Sequence, residues 1–374
     1  MKIMNMADYH LDSAFSGFSK ENAEARRAML RECFTDSIRI AKERGVKLIL
    51  IAGDLFDTPF CTAATRKAVF DAMADAGCPI VISPGNHDYY NKNGTYADKS
   101  LPENVFVFSS DELGRFDFDE LGLSIIGYAF TSDRYEENPL GADVPLSSEN
   151  VNILCAHAEL GAPLSKYAPI SPNAIARCGF AYAALGHVHN APDLVKAGNT
   201  LIGYSGFPQG RSFDELGAGG AYIVDIDLET KTATAERVIL SKMRYEIEKV
   251  DITACASDED VIRAMTSAIE RGGYGESTAL RVRLVGAIPS EYRPDVSRIE
   301  SDSAFLSLAL LQVRDESVAN LDLDYLERDM TVKGEVYRRL LPSLNSADEN
   351  ERRRASAALR FALAALDKRE LSID

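Results

Sequence analysis

Residues 46–57 read VKLILIAGDLFD, and the fold follows from this segment. Val46 to Ala52 is a continuous apolar run without polar alternation, the pattern of a strand covered on both faces, as in a parallel sheet. It ends at Gly53 and delivers the carboxylates Asp54 and Asp57 to its carboxyl end. On the N-terminal side, Ala23 to Arg44 carries Met29, Leu30, Phe34, Ile38 and Ile40 at near-helical spacing. On the C-terminal side, Ala63 to Ala76 repeats that spacing with Ala64, Ala68, Val69, Ala72 and Met73, and a second buried run, CPIVIS at 78–83, follows. With Lys2 to Met6 as the first strand, the opening reads β-α-β-α-β, a parallel-sheet signature.

Beyond residue 100 the rhythm changes to short strands: Val105 to Phe108, Leu123 to Tyr128, Val151 to Cys155, Ala181 to Leu185, Thr200 to Tyr204, Ala221 to Ile226 and Thr232 to Ile239. Their density predicts a second sheet stacked on the first, with helices outside. From Lys242 a separate β-α-β unit is expected: strand Tyr245 to Val250, helix Asp258 to Arg271, a turn at Gly272 and Gly273, and strand Ala279 to Val285. Phe305 to Val313 reads as strand in preference to helix. Ala355, Ala358, Leu359, Ala362, Leu363 and Leu366 form one apolar stripe of a closing helix. Three regions are thus expected: residues 1–241, 242–300 and a tail, 301–374.

Composition excludes several classes. Of the 374 residues 46% are apolar and 26% charged, ordinary for a globular protein and unlike a disordered or collagen-like one. No apolar run approaches the roughly 18 residues that span a bilayer, and no signal core precedes the first motif, so a cytoplasmic location and no membrane association are expected. The six cysteines contain no C-x-x-C pair, which argues against a zinc knuckle or a disulfide framework. The net charge of −16 argues against coating nucleic acid through a global field. The charge is uneven: residues 331–374 carry nine Lys and Arg against seven Asp and Glu, and the first 330 residues carry 32 against 50.

All five histidines lie just after predicted strands, beside carboxylates or an amide. The groups are Asp8-Tyr9-His10; Gly53-Asp54-Leu55-Phe56-Asp57; Gly85-Asn86-His87-Asp88; His157; and Gly186-His187-Val188-His189. Ligands of open α/β sheets bind at the carboxyl ends of the strands, so the five groups should converge on one edge. Imidazole nitrogen with carboxylate oxygen suits manganese, iron or zinc. In extended backbone, D-x-H and H-x-H would each point two side chains to one face. Two ions about 3.5–4 Å apart need a bridging carboxylate, for which Asp54 is the natural choice. Each group alone has a plain structural explanation; the five together, in order, point to a metal centre.

These five motifs resemble those of the calcineurin-like metallophosphoesterases. Residues 7–15 (ADYHLDSAF), the GDLFD and GNHD blocks and residues 204–211 (YSGFPQGR) are similar to the SbcD/YhaO-type DNA repair exonucleases. The resemblance implies a four-layer α/β sandwich of two stacked mixed sheets flanked by helices, with a small C-terminal α/β capping domain and a helical tail. It implies two divalent ions, manganese first, with iron or zinc as alternatives. One would be held by Asp8, His10, Asp54 and His189, the other by Asp54, Asn86, His157 and His187. His87 would be the general acid or phosphate-stabilising group, oriented by Asp88. Asp57 stands where some relatives carry histidine and is left outside the ligand set with a supporting role. Tyr9, where many relatives have a smaller residue, is expected to bear on metal access.

The activity so implied is DNA phosphodiester hydrolysis by activated water, in company with an SMC-like coiled-coil ATPase of SbcC type. A homodimer is a further expectation. Arg211 and Lys92 are the candidate phosphate contacts. The amphipathic tail, with Val332, Val336, Tyr337, Leu340 and Leu341, either packs on the cap or docks on the ATPase. Two other readings stand beside this one: a phosphodiesterase or phosphatase for a small phosphate ester, and a scaffold with a vestigial metal site.

Overall fold

The computed structural model describes residues 1–141, 143–289, 292–320 and 323–366. Two compact units are present, Met1–Tyr245 and Glu246–Asp374. In the first, the elements run β1 (Lys2–Met6), α1 (Lys20–Glu43), β2 (Leu48–Ile51), α2 (Ala63–Ala74), β3 (Ile80–Ile82), β4 (Val105–Val107), β5 (Gly114–Phe118), β6 (Leu123–Gly127) and β7 (Val151–His157). They continue through β8 (Glu159–Leu160), β9 (Pro169–Ile170), α3 (Pro172–Cys178), β10 (Tyr182–Gly186), β11 (Val195–Ala197), β12 (Thr200–Tyr204), β13 (Gly220–Asp227) and β14 (Thr232–Ile239).

Two six-stranded mixed sheets result, ordered β14-β13-β1-β2-β3-β4 and β11-β12-β10-β7-β6-β5. The parallel core β1-β2-β3 is as read from the sequence, with Met6 opposite Ile51 and Ile51 opposite Ile82. Strands β4, β13 and β14 belong to this first sheet, not to the second as expected. β13 pairs antiparallel with β1, and β4 parallel with β3. Apolar runs record burial on two faces but not which neighbour supplies the hydrogen bonds.

The apolar VKLILIA run is explained by its position in the middle of the layers. Ile49 and Ile51 pack with Phe34 and Ile38 of α1 and Val69 and Met73 of α2. The alternate residues Leu48 and Leu50 face the second sheet, meeting Ile125, Ile153, Cys155 and Tyr182. The outer face of that second sheet, including Leu154 and Leu185, is covered by Ala174 and Ile175 of α3. Helices α1, α2 and α3 each begin at a hydroxyl cap, Ser19, Thr62 and Ser171. Every residue of β2, β3 and β10 is buried, so these strands are rigid platforms for the loops at their carboxyl ends.

The elements that follow are β15 (Arg244–Asp251), α4 (Asp258–Gly272), β16 (Thr278–Val285), β17 (Ala287–Ile288), α5 (Val296–Glu300), β18 (Leu310–Asp315) and β19 (Val318–Ala319). The three-stranded sheet β15-β16-β18 is backed by Val261 and Met265 of α4. The strand expected within Phe305 to Val313 is β18, parallel to β16, preceded by a single 3-10 turn at Ser303–Phe305. Helices α6 (Leu323–Arg328), α7 (Val332–Leu344) and α8 (Glu349–Leu366) follow. The apolar stripe of α8 is already occupied: Leu359 and Leu363 cluster with Leu326 and Tyr337, joined by Val336, Leu340 and Leu341. Among the described residues these bury one another within the tail, while Val332 of the same segment stays exposed.

Candidate metal centre

The sheets place the five motifs at strand ends, and the backbone then departs from regular geometry. Asp8 (φ 55°), His10 (φ 45°), Asp54 (φ 50°) and His187 (φ 99°) all have positive φ, which L residues seldom adopt. Asp8 and His10 thus reach the site through left-handed backbone beyond the end of β1, not through the strand pleat the D-x-H spacing suggested. The two loops are laced together: Asp8 N donates to Gly53 O at 3.1 Å, His10 N to Asp54 O at 2.9 Å and Leu11 N to Leu55 O at 2.9 Å. Gly53 and Gly85 are required by close approach. A Cβ at Gly53 would overlap the His157 ring, and one at Gly85 would overlap the Asp54 carboxylate.

Asp8, His10 and Asp54 come from the first sheet, and His157 and His189 from the second, so the cluster spans the ends of both sheets. The carboxylate and ring atoms of Asp8, His10 and His189 lie within 4.8 Å of one another, as do those of Asp8, Asp54 and His157, and those of His10, Asp54 and His87. Asp54 Oδ2 sits 3.6 Å from His10 Nε2 and 3.4 Å from His157 Nε2. Asn86 Oδ1 lies 2.9 Å from His157 Nε2. His187 is beside His157, ring centroids 5.2 Å apart, with the Tyr167 ring tilted against it at 4.7 Å, and its backbone N–H donates to Asp8 Oδ1 at 3.1 Å.

Burial and charge set the protonation states. Burial outweighs the neighbouring imidazoles at Asp8 and pushes its pKa up to about 6. Asp54 is equally buried, yet His157, His10 and His87 together hold it down at about 2. Burial lowers His10 and His187 to about 4, so both are neutral near pH 7 with lone pairs available. At His189 burial is outweighed by the Glu215 hydrogen bond, and the pKa is raised.

Other expected site residues land elsewhere. Asp88 does not orient His87; its carboxylate is buried and accepts from the backbone N–H groups of Asp54 (3.1 Å), Leu55 (2.7 Å), Phe56 (3.2 Å) and Gly85 (2.8 Å), and from the Tyr96 hydroxyl. It holds the GDLFD loop in shape. The neighbour of His87 is Asp57, whose carbonyl oxygen is 3.3 Å from His87 Nδ1. Asp57 Oδ1 also lies 3.3 Å from His10 Nδ1, without hydrogen-bond geometry. Tyr9 points away from the centre, its hydroxyl 2.6 Å from Ser37 and its ring against Phe34, and so has no bearing on metal access.

Arg211 is not a free phosphate contact either. Its guanidinium is engaged by Glu215 at 2.5 Å and Ser13 at 3.2 Å, while Lys92 is exposed. Sequence reading missed Glu215, which is buried and 2.9 Å from His189 Nδ1. The only signal was a carboxylate four residues after Arg211 in a glycine-rich loop.

A family model described as calcineurin-like phosphoesterase matches residues 1–191. The chain belongs to that family. It is therefore a metallophosphoesterase, a hydrolase, and its two-sheet sandwich is the fold of the family. The protein is 28% identical over 270 residues to the uncharacterized metallophosphoesterase YhaO of Bacillus subtilis (strain 168), covering 68% of this chain and 65% of that protein. It is 28% identical over 293 residues to the SbcD component of the nuclease SbcCD of the same organism, covering 64% and 70%. It is 27% identical over 269 residues to the DNA double-strand break repair protein Mre11 of Aeropyrum pernix, covering 67% and 64%. The match to YhaO and to the Aeropyrum protein thus spans just under two thirds of their length. No described helix is long and apolar enough to cross a membrane.

The donor set fits the divalent ions this metallophosphoesterase family implies. His157 Nδ1 lies 3.0 Å from the carbonyl of Ala52, which can only accept, so the neutral ring carries its proton there and its Nε2 is a lone pair. That lone pair faces two further acceptors, Asn86 Oδ1 and Asp54 Oδ2. Likewise His189 Nδ1 faces the Glu215 carboxylate, and its Nε2 meets His10 Nε2 at 3.1 Å. Electron-pair donors converging in this way are satisfied by a cation.

Proposed function

We propose that the protein hydrolyses DNA phosphodiester bonds with two divalent cations, most simply manganese. Asp8, His10, Asp54 and His189 would hold one ion and Asp54, Asn86, His157 and His187 the other. The observation that carries this reading is the position of Asp54 Oδ2, 3.6 Å from His10 Nε2 and 3.4 Å from His157 Nε2, from which one carboxylate would serve both ions. When bound, the ions would lower the pKa of a water and neutralise charge on the phosphate.

The chain's own contribution centres on His87. Its side chain is 46% exposed, whereas those of His10, Asp54 and His157 are at most 2% exposed, so His87 alone of this group meets a substrate at the rim. It stands edge-on to His10, ring centroids 4.6 Å apart. With Nδ1–H directed at the Asp57 carbonyl, Nε2 is the atom that exchanges a proton with the leaving oxygen. Asp88 acts one step away by holding the loop that carries Asp54.

DNA as substrate is supported by the names of the relatives, and exposed Lys92 is the proposed phosphate contact. We read residues 1–241 as the catalytic domain, 242–300 as a cap that extends through β18 and β19, since these pair with β16 and β17, and the helices that follow as a tail. On this reading an SMC-like coiled-coil ATPase is the partner, a homodimer the assembly and the cytoplasm the compartment. The tail leaves Tyr325, Met330 and Val332 exposed at 65%, 92% and 63%, the apolar surface such a partner would cover. The net charge of −16 and the engagement of Arg211 favour a second reading, hydrolysis of a small phosphate ester.

The test is manganese-dependent hydrolysis of linear double-stranded DNA and of bis-p-nitrophenyl phosphate, side by side at low salt, with His87→Asn as control. Cleavage of both, lost in the variant while two ions remain bound, is expected. Cleavage of the small diester alone moves the assignment to the second reading, and metal loss in the variant removes His87 from its role.

A further inference from the structure

Glu215 lies outside every motif that marks the metal centre, yet it is 3% exposed and carries charge into the protein beside one of the candidate ligands. Its Oε1 is 2.9 Å from His189 Nδ1. Arg211 braces the same carboxylate through its backbone N–H, 2.7 Å from Oε2, and through Nη2, 2.5 Å from Oε1. Arg211 in turn reaches Ser13, which follows the first motif and lies 3.2 Å from Asp57. A buried carboxylate therefore connects the loop after β12 to the motif loops of the first sheet. Burying such a group is costly unless its partners return the lost hydration. Closing a surface loop would not require it.

The tautomer of His189 decides whether its ring can bind a cation, and two neighbours compete to set it. Arg211 Nη2 lies 3.4 Å from Nδ1 and, as a donor, would favour a proton on Nε2. That proton would point at His10 Nε2 and block the centre. The Glu215 carboxylate is nearer, at 2.9 Å, can only accept, and therefore places the proton on Nδ1. The lone pair on Nε2 is then directed at His10, Asp8 and the centre. An imidazole locked by an outer carboxylate is also a stronger ligand, and loss of such a partner weakens metal binding by about 10–100-fold.

We propose that Glu215 is a positioning residue for the metal centre: braced by Arg211, it fixes the Nδ1–H tautomer and the ring orientation of His189, preparing one of the two cation sites and not the other. The inference rests on the two-cation reading above. It assigns Arg211 to this outer layer, away from substrate phosphate.

Two measurements test it without recourse to turnover. Long-range 1H–15N spectra of the metal-free protein, taken at a pH at which the His189 ring is neutral, should show its single proton on Nδ1. A proton on Nε2 overturns the proposal with no variant needed. Calorimetric and EPR titration with Mn2+ should show two ions in the wild type and, in Glu215→Gln, one site weakened about 10–100-fold with the other unchanged. Arg211→Gln should weaken that site less, since Glu215 remains against His189. Equal losses in both variants mean a loop-closing role and overturn the proposal, as does unchanged affinity at both sites. A wild type that takes up fewer than two ions fails the two-cation reading itself, and the positioning role falls with it.

Discussion

The two compact units of this protein handle backbone strain in opposite ways and differ in how they gather buried charge. Among the described residues, every non-glycine position with positive φ lies in Met1–Tyr245, and four of the eight are Asp8, His10, Asp54 and His187. Among the described residues of the C-terminal unit positive φ falls only on Gly273, which ends α4, and Gly286, which follows β16. The first unit buries Asp8, Asp54, Asp88 and Glu215 around one centre. The second buries Asp258, which is answered by the Tyr292 hydroxyl at 2.8 Å and by Arg298 at 3.0 Å, and Asp329, which accepts from the N–H of Thr331 at 2.8 Å and from its hydroxyl at 2.7 Å. Strained backbone costs about 1–3 kcal/mol per residue and persists where surrounding structure over-determines it. Here it coincides with the candidate ligands, so the first unit gives up stability to a site while the second follows ordinary packing.

The largest expected effect breaks this comparison at Asp54. Asp54→Ala should remove the carboxylate between His10 and His157 and with it bound metal. Hydrolysis should then fall by more than the roughly 10²–10⁴-fold that a single proton-transfer group contributes. Metal content measured on the purified variant decides it: two ions retained would mean that the strain at Asp54 serves something else.

In the ordinary unit the corresponding change is Met265→Ala, at a fully buried position under the sheet. It should cost about 2–5 kcal/mol in denaturant unfolding and leave hydrolysis of a small diester unaltered. A large loss of that activity would show that the units are not independent. Asp88→Asn sits between the two cases. An amide cannot accept all the bonds that the backbone of residues 54–56 and Gly85 donates to the carboxylate, so a loss on the order of 3 kcal/mol is expected. Unchanged stability would return Asp88 to a role at His87.

The site was legible because its chemistry is local. Short motifs name the residue type and the loop, and buried strands carry each loop to the same place. What surrounds those residues was not legible. Nothing in the order of residues shows that Asp88 turns from its neighbour His87 toward backbone N–H groups of the GDLFD loop, or that Tyr9 faces α1. Glu215 and Arg211 are brought to His189 by the return of the backbone after β12. For the same reason β4, β13 and β14 were placed in the wrong sheet, and β5 (GRFDF), with its alternating polar residues and partial burial, was passed over. In the tail, the helical stripe of α8 was evident, but its partners in α7 depend on a tertiary contact that periodicity does not specify.

The smallest effect sharpens the contrast through pH. In metal-free protein, His10 and His187 titrate at about 4 in the fold against about 6.5 when unfolded, so the unfolded state takes up two protons as pH falls through that window. Asp8 works against them: its pKa of about 6 lets the folded state take up one proton there that the unfolded state does not. The unfolded state therefore leads by one proton, and stability should decline by about 1.4 kcal/mol per pH unit between roughly pH 6 and 4.5. His187→Asn removes one of the two imidazoles, leaving the other balanced by Asp8, and the profile across that interval should become nearly flat. Denaturant midpoints measured in a chelator at several pH values resolve a difference of that size. A variant with the wild-type slope would mean that His187 is not held neutral by burial, and that the readiness of this ring to bind a cation has another origin.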